Sequence, residues 1–510
     1  MKFPIGIQTF SEIREENYLY LDKTALVHKL ITCGKNYFLS RPRRFGKSLL
    51  ISTLEAIFLG RKALFEGLDI TQTDYDFAVY PVIKMEFTRV LVRQVSDLEN
   101  YIINTANRYA KAHDIELEVT SYEQRFAELV IKLNEKYHQK VVLLIDEYDK
   151  PILSHLNKPT LPGIKEAING FYSSVKSLDE YLRFVFIAGV SKFAKVSVFS
   201  GMNNLTDISM VQTYATLCGI TESELQSGFS AQLEPLAQHL EQSKTETLED
   251  IKRWYNGYYF HHSAPGVYNP YSVLSLFQHQ EFNNYWFETG TPTFLLELLK
   301  ENQYDFKNFE QCELGASAFA ASEPENINLP SLLFQTGYLT IKGFNKPLYQ
   351  LDFPNYEVKK SFYESVATEY SQINAGMGET YTTRLTQHLV AKRLDAFFET
   401  LAEFFANIPN NITLKNEKYY QSIFYSVITL LGFDIEAEVS TNQGRIDCVL
   451  QTDDTIYIIE FKLNGSKEEA LQQIHDKQYA QKYQSSDKEV VLLGVAFDPQ
   501  KRNIGGYLLG

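Results

Sequence analysis

Gly46, Lys47 and Ser48 have the residue types and the order that a phosphate-binding turn requires. Apolar residues at 37–39 precede them and apolar residues at 49–51 follow, so the pattern predicts a strand, a tight loop and a helix. In such a layout, backbone N–H groups and the helix dipole attract an anion, the lysine reaches the terminal phosphates and the hydroxyl holds Mg²⁺. The three residues therefore predict a nucleotide site.

The loop before the lysine is basic. The usual motif has a glycine at the position of Arg41, and Arg43 and Arg44 follow. Two interpretations stay open: the arginines neutralise phosphate charge or act as an arginine finger in cis, or they form a solvated basic loop. The residues that we expect to contact the nucleotide here are Arg43, Arg44, Phe45, Gly46, Lys47, Ser48 and Leu49.

A pair of carboxylates farther along the chain supports the same interpretation. Five large apolar residues, 141–145, predict a strand buried on both faces, and Asp146 and Glu147 follow directly. Open α/β sheets bind ligands outside the carboxyl ends of their strands, so we expect Asp146 beside the phosphate loop, holding Mg²⁺ directly or through water. Glu147 would accept a proton from the attacking water. The alternative is that these carboxylates are an ordinary acidic end of a strand. This alternative explains less well why both motifs, the phosphate loop and the acidic pair, occur in the expected order and each at a strand end.

A third cluster lies near the carboxyl end of the chain. Two short predicted strands are joined by a turn at 451–455, and a hairpin centred on this turn places Asp447 opposite Glu460. Lys462 then lies on the same face, about 6.6 Å farther along. Two carboxylates that share a cation and a lysine that stabilises charge are the groups that metal-dependent phosphodiester cleavage needs. The alternative is a surface hairpin with a salt bridge.

The elements that must position these residues alternate between strands and helices over residues 1–215, which predicts an α/β domain. Another buried strand is predicted at 184–188, and a polar residue after it, Ser191 or Lys192, is a candidate sensor of the γ-phosphate. A simple turn is an equally good interpretation there. Residues 216–390 carry mainly helical patterns, and their clustered aromatic residues favour a packed core over base stacking.

Length and composition limit the class of protein. The 510 residues are 44% hydrophobic and 14% aromatic, which indicates about two to four packed domains. A net charge of −14 argues against non-specific coating of nucleic acid, so such a site must be a local basic groove. The four cysteines have no zinc or disulfide spacing. The first ten residues contain no apolar segment typical of a signal peptide, and no run of eighteen apolar residues appears, so we expect a soluble, cytoplasmic protein without a membrane partner.

Four motifs together resemble the prokaryotic AAA-ATPase-like family. They are YLDKT at 20–24, RPRRFGKS at 41–48, IDEYDKPI at 145–152 and GVSKF at 189–193. The basic loop resembles that family's own form of the phosphate loop. The resemblance covers about the first 215 residues and implies that the chain binds ATP and has the sheet of an additional-strand ATPase.

The Asp447, Glu460 and Lys462 pattern resembles the PD-(D/E)XK nuclease superfamily. Helical patterns from about Glu417 and over residues 468–483 match the order of elements in that superfamily. The resemblance implies Mg²⁺, or Mn²⁺, at the carboxylates, Glu417 as a further acidic ligand, and Gln473 as a support for the metal site.

The predicted fold is therefore α/β, in three parts. These are a P-loop ATPase domain with a central, mostly parallel sheet (1–215), a mainly helical lid or connector (216–390), and a restriction-endonuclease-like α/β domain (391–510).

The first functional hypothesis is an ATP-binding and ATP-hydrolysing protein coupled to a metal-dependent nuclease domain that acts on nucleic acid, with DNA favoured. The second is a nucleotide-dependent switch or binding module whose last domain binds nucleic acid or protein without cleaving it. A small-molecule kinase ranks lowest because it has no use for the last domain. Whether copies of the chain form a homo-oligomer stays open.

Overall fold

The structure, a computed structural model, describes most of the chain: residues 2–192, 202, 204–288, 309–310, 312–319, 328–371, 375–408, 417–431, 433–441, 444–463, 465–498 and 500–510. The chain divides into two compact units. The first is formed by Met1–Gly290 and Gln311–Glu357, and the second by Thr291–Glu310 and Val358–Gly510. The predicted domain borders at 215/216 and 390/391 stay predictions.

Within the described part of the first unit, a five-stranded sheet is wholly parallel. Its strands run in the order β2-β3-β4-β1-β5. They are β1 (Asn36–Ser40), β2 (Val82–Glu86), β3 (Val141–Asp146), β4 (Leu182–Gly189) and β5 (Thr206–Asp207). Because β4 lies between β1 and β3, the sheet has the additional strand that the family resemblance implies.

Helices cover this sheet, and every residue of β1 and of β3 is buried. This burial explains why both strands are almost continuously apolar. The helices of this part are α1 (Phe10–Glu15), α2 (Thr24–Cys33), α3 (Lys47–Phe58), α4 (Val95–Ala112), α5 (Tyr122–Tyr137), α6 (Lys150–Leu153) and α7 (Leu161–Ser177).

The rest of the first unit is helical up to residue 288 and then includes a small sheet. The helices are α8 (Glu222–Gly228), α9 (Ser230–His239), α10 (Lys244–Tyr255), α11 (Pro270–His279), α12 (Tyr285–Glu288) and α13 (Leu329–Thr336). Three antiparallel strands, in the order β6-β8-β7, are β6 (Cys312–Gly315), β7 (Thr340–Asn345) and β8 (Leu348–Asp352). The mainly helical pattern of this region did not indicate this sheet.

The second unit contains a mixed five-stranded sheet in the order β13-β12-β11-β10-β9, in which only the β11 and β12 pair is parallel among the described strands. Its strands are β9 (Asp434–Thr441), β10 (Gly444–Gln451), β11 (Thr455–Lys462), β12 (Glu489–Asp498) and β13 (Asn503–Leu509). The chain reaches and flanks them through α14 (Tyr356–Ser371), α15 (Ala375–Val390), α16 (Leu394–Ala406), α17 (Glu417–Thr429) and α18 (Lys467–Asp476).

No helix within these described ranges combines the length and the apolar character needed to cross a bilayer.

Arg41 follows β1 and belongs to the core of the first unit, with 1% of its surface exposed. Its guanidinium donates hydrogen bonds to the carbonyls of Ser40, Ser209 and Tyr214, at 2.9, 2.7 and 3.1 Å, and stacks 3.9 Å from the ring of Phe260. Arg41 is therefore neither a phosphate ligand nor part of a solvated loop, because its side chain is used to join β1 to the segment after β5.

We expect Arg41→Met to lower the free energy of unfolding by about 2–4 kcal/mol, because buried carbonyls would lose their charged donor. Chemical denaturation of the full chain measures this change. Arg61→Ala is the control, since Arg61 is exposed and surface changes stay within about 0.5 kcal/mol. Unfolding of Arg41→Met at the denaturant midpoint of the parent would contradict the structural role.

Candidate functional sites

The phosphate loop, residues 41–46, connects β1 to α3. Arg44 and Gly46 have left-handed backbone conformations, with φ of 65° and 87°, and Gly46 caps the start of the helix. Arg41 is not among the residues with positive φ. A glycine is therefore not required at this position, which explains how the loop forms without the first glycine of the usual motif.

A cavity of about 320 Å³ lies at the start of α3. It brings together residues from the loop, from α3 and from the segment after β3. Its lining includes Arg43, Arg44, Gly46, Lys47, Ser48, Leu49, Glu147 and Lys150. Most of the residues predicted to contact a nucleotide therefore lie on one cavity.

Lys47 is the first residue of α3, and its side chain is almost fully buried. Its ammonium donates to the carbonyls of Arg41 and Pro42, each at 3.0 Å, and lies 3.8 Å from Glu147 Oε1. The lysine is thus held over the loop, and its charge balances the carboxylate that follows β3.

Asp146 ends β3 and contacts the first turn of α3 through Ser48, whose hydroxyl donates to Asp146 Oδ2 at 2.6 Å. Only 3% of Asp146 is exposed. Burial raises the pKa of Asp146 to about 6, and the bond from Ser48 offsets part of this effect. A buried carboxylate is stabilised by a cation, so the hydroxyl and the carboxylate present the oxygen donors that Mg²⁺ prefers.

Ser191 and Lys192, the candidate phosphate sensors, have other partners in this structure. The Ser191 hydroxyl donates to Asp149 Oδ2 at 2.6 Å, and the Lys192 ammonium lies 3.0 Å from Asp207 Oδ2. Both side chains are buried, and neither lines the cavity. A sensor role for Ser191 stays a prediction.

Phe45 and Arg44 are anchored by aromatic rings. Phe45 is buried at 4.7 Å from the ring of Tyr258 and 5.6 Å from that of Phe260. The Arg44 guanidinium lies 4.8 Å above Tyr271. Phe45 therefore anchors the loop in the core; it does not line the phosphate cavity, but it lines the neighbouring apolar cavity. The buried aromatic residues of this region form core, as the sequence favoured.

Trp286 fixes the main chain of the loop. Its indole N–H donates to the carbonyl of Arg43 at 3.2 Å. Its backbone N–H donates to the buried carboxylate of Glu357 at 2.8 Å, which also accepts from the hydroxyl of Ser272. This buried network ties the loop to α11 and to the start of α14.

A second, apolar cavity of about 110 Å³ adjoins the phosphate cavity. The two cavities share Pro4, Gly46, Leu49, Pro270 and Leu274 as lining residues. The apolar cavity also has Tyr20, Leu21 and Val27 in its wall. The two adjoining cavities therefore suit a ligand with a phosphate group at one end, for the phosphate cavity, and a flat apolar group at the other, for the apolar cavity.

In the second unit, the β10 and β11 hairpin has the predicted register, with Cys448 opposite Ile459 and Leu450 opposite Tyr457. The same register places Asp447 opposite Glu460. Glu460 Oε2 accepts from the Asp447 N–H at 3.4 Å, and Asp447 Oδ2 accepts from the N–H of Phe461 at 2.9 Å. The two carboxylates therefore meet at the same end of the hairpin.

Gln473, from α18, links the members of this group. Its amide N–H donates to Glu460 Oε1, while its carbonyl oxygen accepts from the Lys462 ammonium at 2.6 Å. The Lys462 ammonium is also 4.0 Å from Glu460 Oε1, although Glu460 is only 2% exposed. These side chains thus form one connected polar cluster in a mostly apolar sheet. We call this cluster of two carboxylates with their lysine and amide partners the carboxylate set: Asp447, Glu460, Lys462 and Gln473.

Glu417 begins α17, but its side chain lies outside the described residues. Within the described part of the chain, no group of three or more His, Cys, Asp or Glu side chains is arranged to hold a metal. Asp447 and Glu460 nevertheless provide the oxygen donors that fit Mg²⁺ or Mn²⁺, because such ions keep water and phosphate oxygens as their remaining ligands.

Two residues of the first site were not predicted from the sequence. Lys150 lines the phosphate cavity, and Asp149 accepts from the backbone N–H groups of Val190 and Ser191, at 3.0 and 2.7 Å. Both belong to the same acidic motif as Asp146. The charged residues directly after the buried strand could have indicated both. The sequence does not show, however, which of these charged side chains is buried and which lines the cavity.

Comparison with known protein families finds one match in the first part of the chain and another in the last. The family described as predicted AAA-ATPase matches residues 4–199, and the PD-(D/E)XK nuclease superfamily matches residues 415–506. The chain is also 39% identical, over 522 aligned residues, to the "Uncharacterized protein in vnfD 5'region" of Azotobacter chroococcum mcd 1, covering 100% of this chain and 98% of that relative. The chain belongs to the predicted AAA-ATPase family and carries a carboxy-terminal domain of the PD-(D/E)XK nuclease superfamily.

Proposed function

We propose that this protein hydrolyses ATP at the phosphate cavity and thereby drives or gates metal-dependent cleavage of nucleic acid, with DNA favoured, at the carboxylate set. The main support is the bond between Ser48 and Asp146. These residues are 98 positions apart in sequence, yet Ser48 Oγ and Asp146 Oδ2 are 2.6 Å apart beside the phosphate loop. A P-loop ATPase requires this pairing of a hydroxyl with a strand-end carboxylate.

In this proposal the phosphate loop and the start of α3 bind the triphosphate through backbone N–H groups, and Lys47 bonds to the phosphate oxygens. Ser48 and Asp146 would hold Mg²⁺. Glu147 lines the same cavity and would take the proton of the attacking water. Mg²⁺, when bound, supplies neutralisation of phosphate charge.

The apolar cavity beside the loop would receive the base of the nucleotide. Its wall is largely apolar and includes residues that also line the phosphate cavity, such as Gly46 and Leu49. Ligand sites commonly combine an apolar pocket with a few polar groups that fix the orientation. This arrangement favours a complete nucleotide over inorganic phosphate as the ligand.

At the second site, Asp447 and Glu460 would hold the metal against a phosphodiester, and Lys462 would stabilise the negative charge that develops on its oxygens. Gln473 orients both Glu460 and Lys462 through its amide group. The side chains of the site are therefore placed before a substrate arrives, which lowers the cost of organising them during cleavage.

At the first site, we expect Lys47→Ala to weaken ATP binding about 10- to 100-fold, because charge-assisted bonds to the phosphates are lost. Glu147→Gln should bind ATP normally but hydrolyse it about 100-fold more slowly, because the base is lost while the shape is kept. Titration calorimetry and phosphate release measure the two effects.

Glu135→Gln, at an exposed position of α5, is the matched control for Glu147→Gln. Turnover of Glu147→Gln at the rate of the parent would remove Glu147 from the reaction.

At the second site, we expect Asp447→Ala and Lys462→Ala each to reduce cleavage about 100-fold or more in Mg²⁺ or Mn²⁺, because one loses a metal ligand and the other the stabilising charge. EDTA should abolish cleavage by the parent. Labelled single-stranded DNA, duplex DNA and RNA, each with and without ATP, serve as substrates.

Asp453→Ala is the matched control because it removes an exposed carboxylate from the turn of the same hairpin. If Asp447→Ala cleaves like the parent, the proposed nuclease site is wrong. If the parent binds nucleic acid and ATP but cleaves nothing, the function is that of a nucleotide-dependent binding module.

A further inference from the structure

One positively charged side chain of the phosphate cavity, that of Lys150, was not predicted from the sequence to have a function. Lys150 lines the cavity together with Arg43 and Lys47. The Lys47 ammonium is held by two loop carbonyls. The Lys150 ammonium, in contrast, has no hydrogen bond or ion pair with any described residue. A lysine that faces a cavity beside a phosphate loop without a protein partner is well suited to bind a phosphate oxygen.

Lys150 is held close to Glu147 by the backbone. The Lys150 N–H donates to the carbonyl of Glu147 at 3.0 Å, which closes a tight turn at the carboxyl end of β3. Glu147 has a positive φ of 53° in this turn. A left-handed non-glycine residue persists only where the surrounding structure fixes it. The turn therefore presents the Glu147 carboxylate and the Lys150 ammonium to the same cavity.

Asp149 fixes this turn to β4. Its carboxylate is completely buried and accepts three hydrogen bonds, from the N–H groups of Val190 and Ser191 and from the Ser191 hydroxyl. Ser191 is thus bonded to Asp149, and Lys192 is paired with Asp207, so neither of these two side chains lines the cavity. The turn after β3, in contrast, places two charged side chains, Glu147 and Lys150, on the wall of the cavity.

We propose that Lys150 binds the terminal phosphate of ATP and stabilises the charge that develops as that phosphate is transferred to water. This inference rests on the proposed ATPase function and adds a catalytic residue to it. The water oxygen forms a bond to the γ-phosphorus while the bond from that phosphorus to the bridging oxygen breaks. The water proton goes to Glu147, and the electron pair of the broken bond stays on the oxygen of ADP. Lys150 contributes charge and no proton.

A lysine that contacts the γ-phosphate affects the binding of ATP more than that of ADP, whereas a lysine with a purely structural role affects both alike. ADP has no γ-phosphate, so loss of Lys150 should weaken ATP binding about tenfold or more while ADP binding changes little. Turnover should fall about 100-fold, because removal of one preorganised charge-stabilising group has an effect of this size. The ratio of ATP to ADP affinity and the rate constant of hydrolysis are therefore the two readouts.

The experiment compares the full-length parent with Lys150→Ala, Lys150→Gln and Lys150→Arg in Mg²⁺ buffer. The control is Lys140→Ala, because Lys140 is exposed and precedes the other end of β3. Titration calorimetry with ATP and ADP gives the affinities, and phosphate release gives kcat and KM. We expect both neutral variants to lose the preference for ATP and most of kcat, Lys150→Arg to recover part of each, and Lys140→Ala to match the parent.

Neutral variants that keep the kcat of the parent and its ratio of ATP to ADP affinity would overturn the role of Lys150. Selective loss of ATP affinity in a protein whose parent binds ATP without hydrolysing it would support the phosphate contact, although the ATPase part of the proposed function would then fail. A parent that binds neither nucleotide would overturn both. Lys150→Gln keeps most of the side-chain length, so the test does not depend on the folding of Lys150→Ala.

Discussion

A carboxylate buried at the end of an apolar strand is the constraint on which both candidate sites depend. Asp146 and Glu460 are 3% and 2% exposed, and each ends or nearly ends a strand that is otherwise almost wholly apolar. Burial of an ionised carboxylate is unfavourable unless hydrogen bonds or a cation compensate it. The structure supplies hydrogen bonds from Ser48 and Gln473. A divalent cation would stabilise each buried carboxylate further. The positions of Asp146 and Glu460 that are favoured by folding are therefore also those that favour metal binding.

Much of this geometry was predictable because it depends on local periodicity. Continuous apolar runs identified β1, β3 and β4, and the parallel sheet required the following polar residues to lie at one edge. The hairpin register followed from its short turn, since side chains alternate with a period of two and a centred turn fixes which residues face each other. Asp447 and Glu460 could therefore be paired from the sequence alone.

Other features depend on tertiary contacts that no local pattern contains. Arg41 has the appearance of a loop cation, but its burial is decided by carbonyls more than 160 positions away in sequence. The hydroxyl of Ser191 donates to Asp149, a partner that the sequence pattern did not indicate. The sequence also did not indicate that each of the two units combines two separate segments of the chain, because no change in composition marks the points where the chain passes from one unit to the other.

The three arginines of the phosphate loop show how a loop without its first glycine keeps its shape. Arg41 turns into the core, Arg43 lines the cavity and Arg44 stacks on Tyr271. Phe45 packs into an aromatic cluster, and Trp286 holds the carbonyl of Arg43. Glycine-rich loops obtain tight turns from backbone freedom, which has an entropic cost on folding. Here only Gly46 retains that freedom, and side-chain anchors on both sides of the loop fix the rest. A loop fixed in this way can present cations to a phosphate without first being ordered by it.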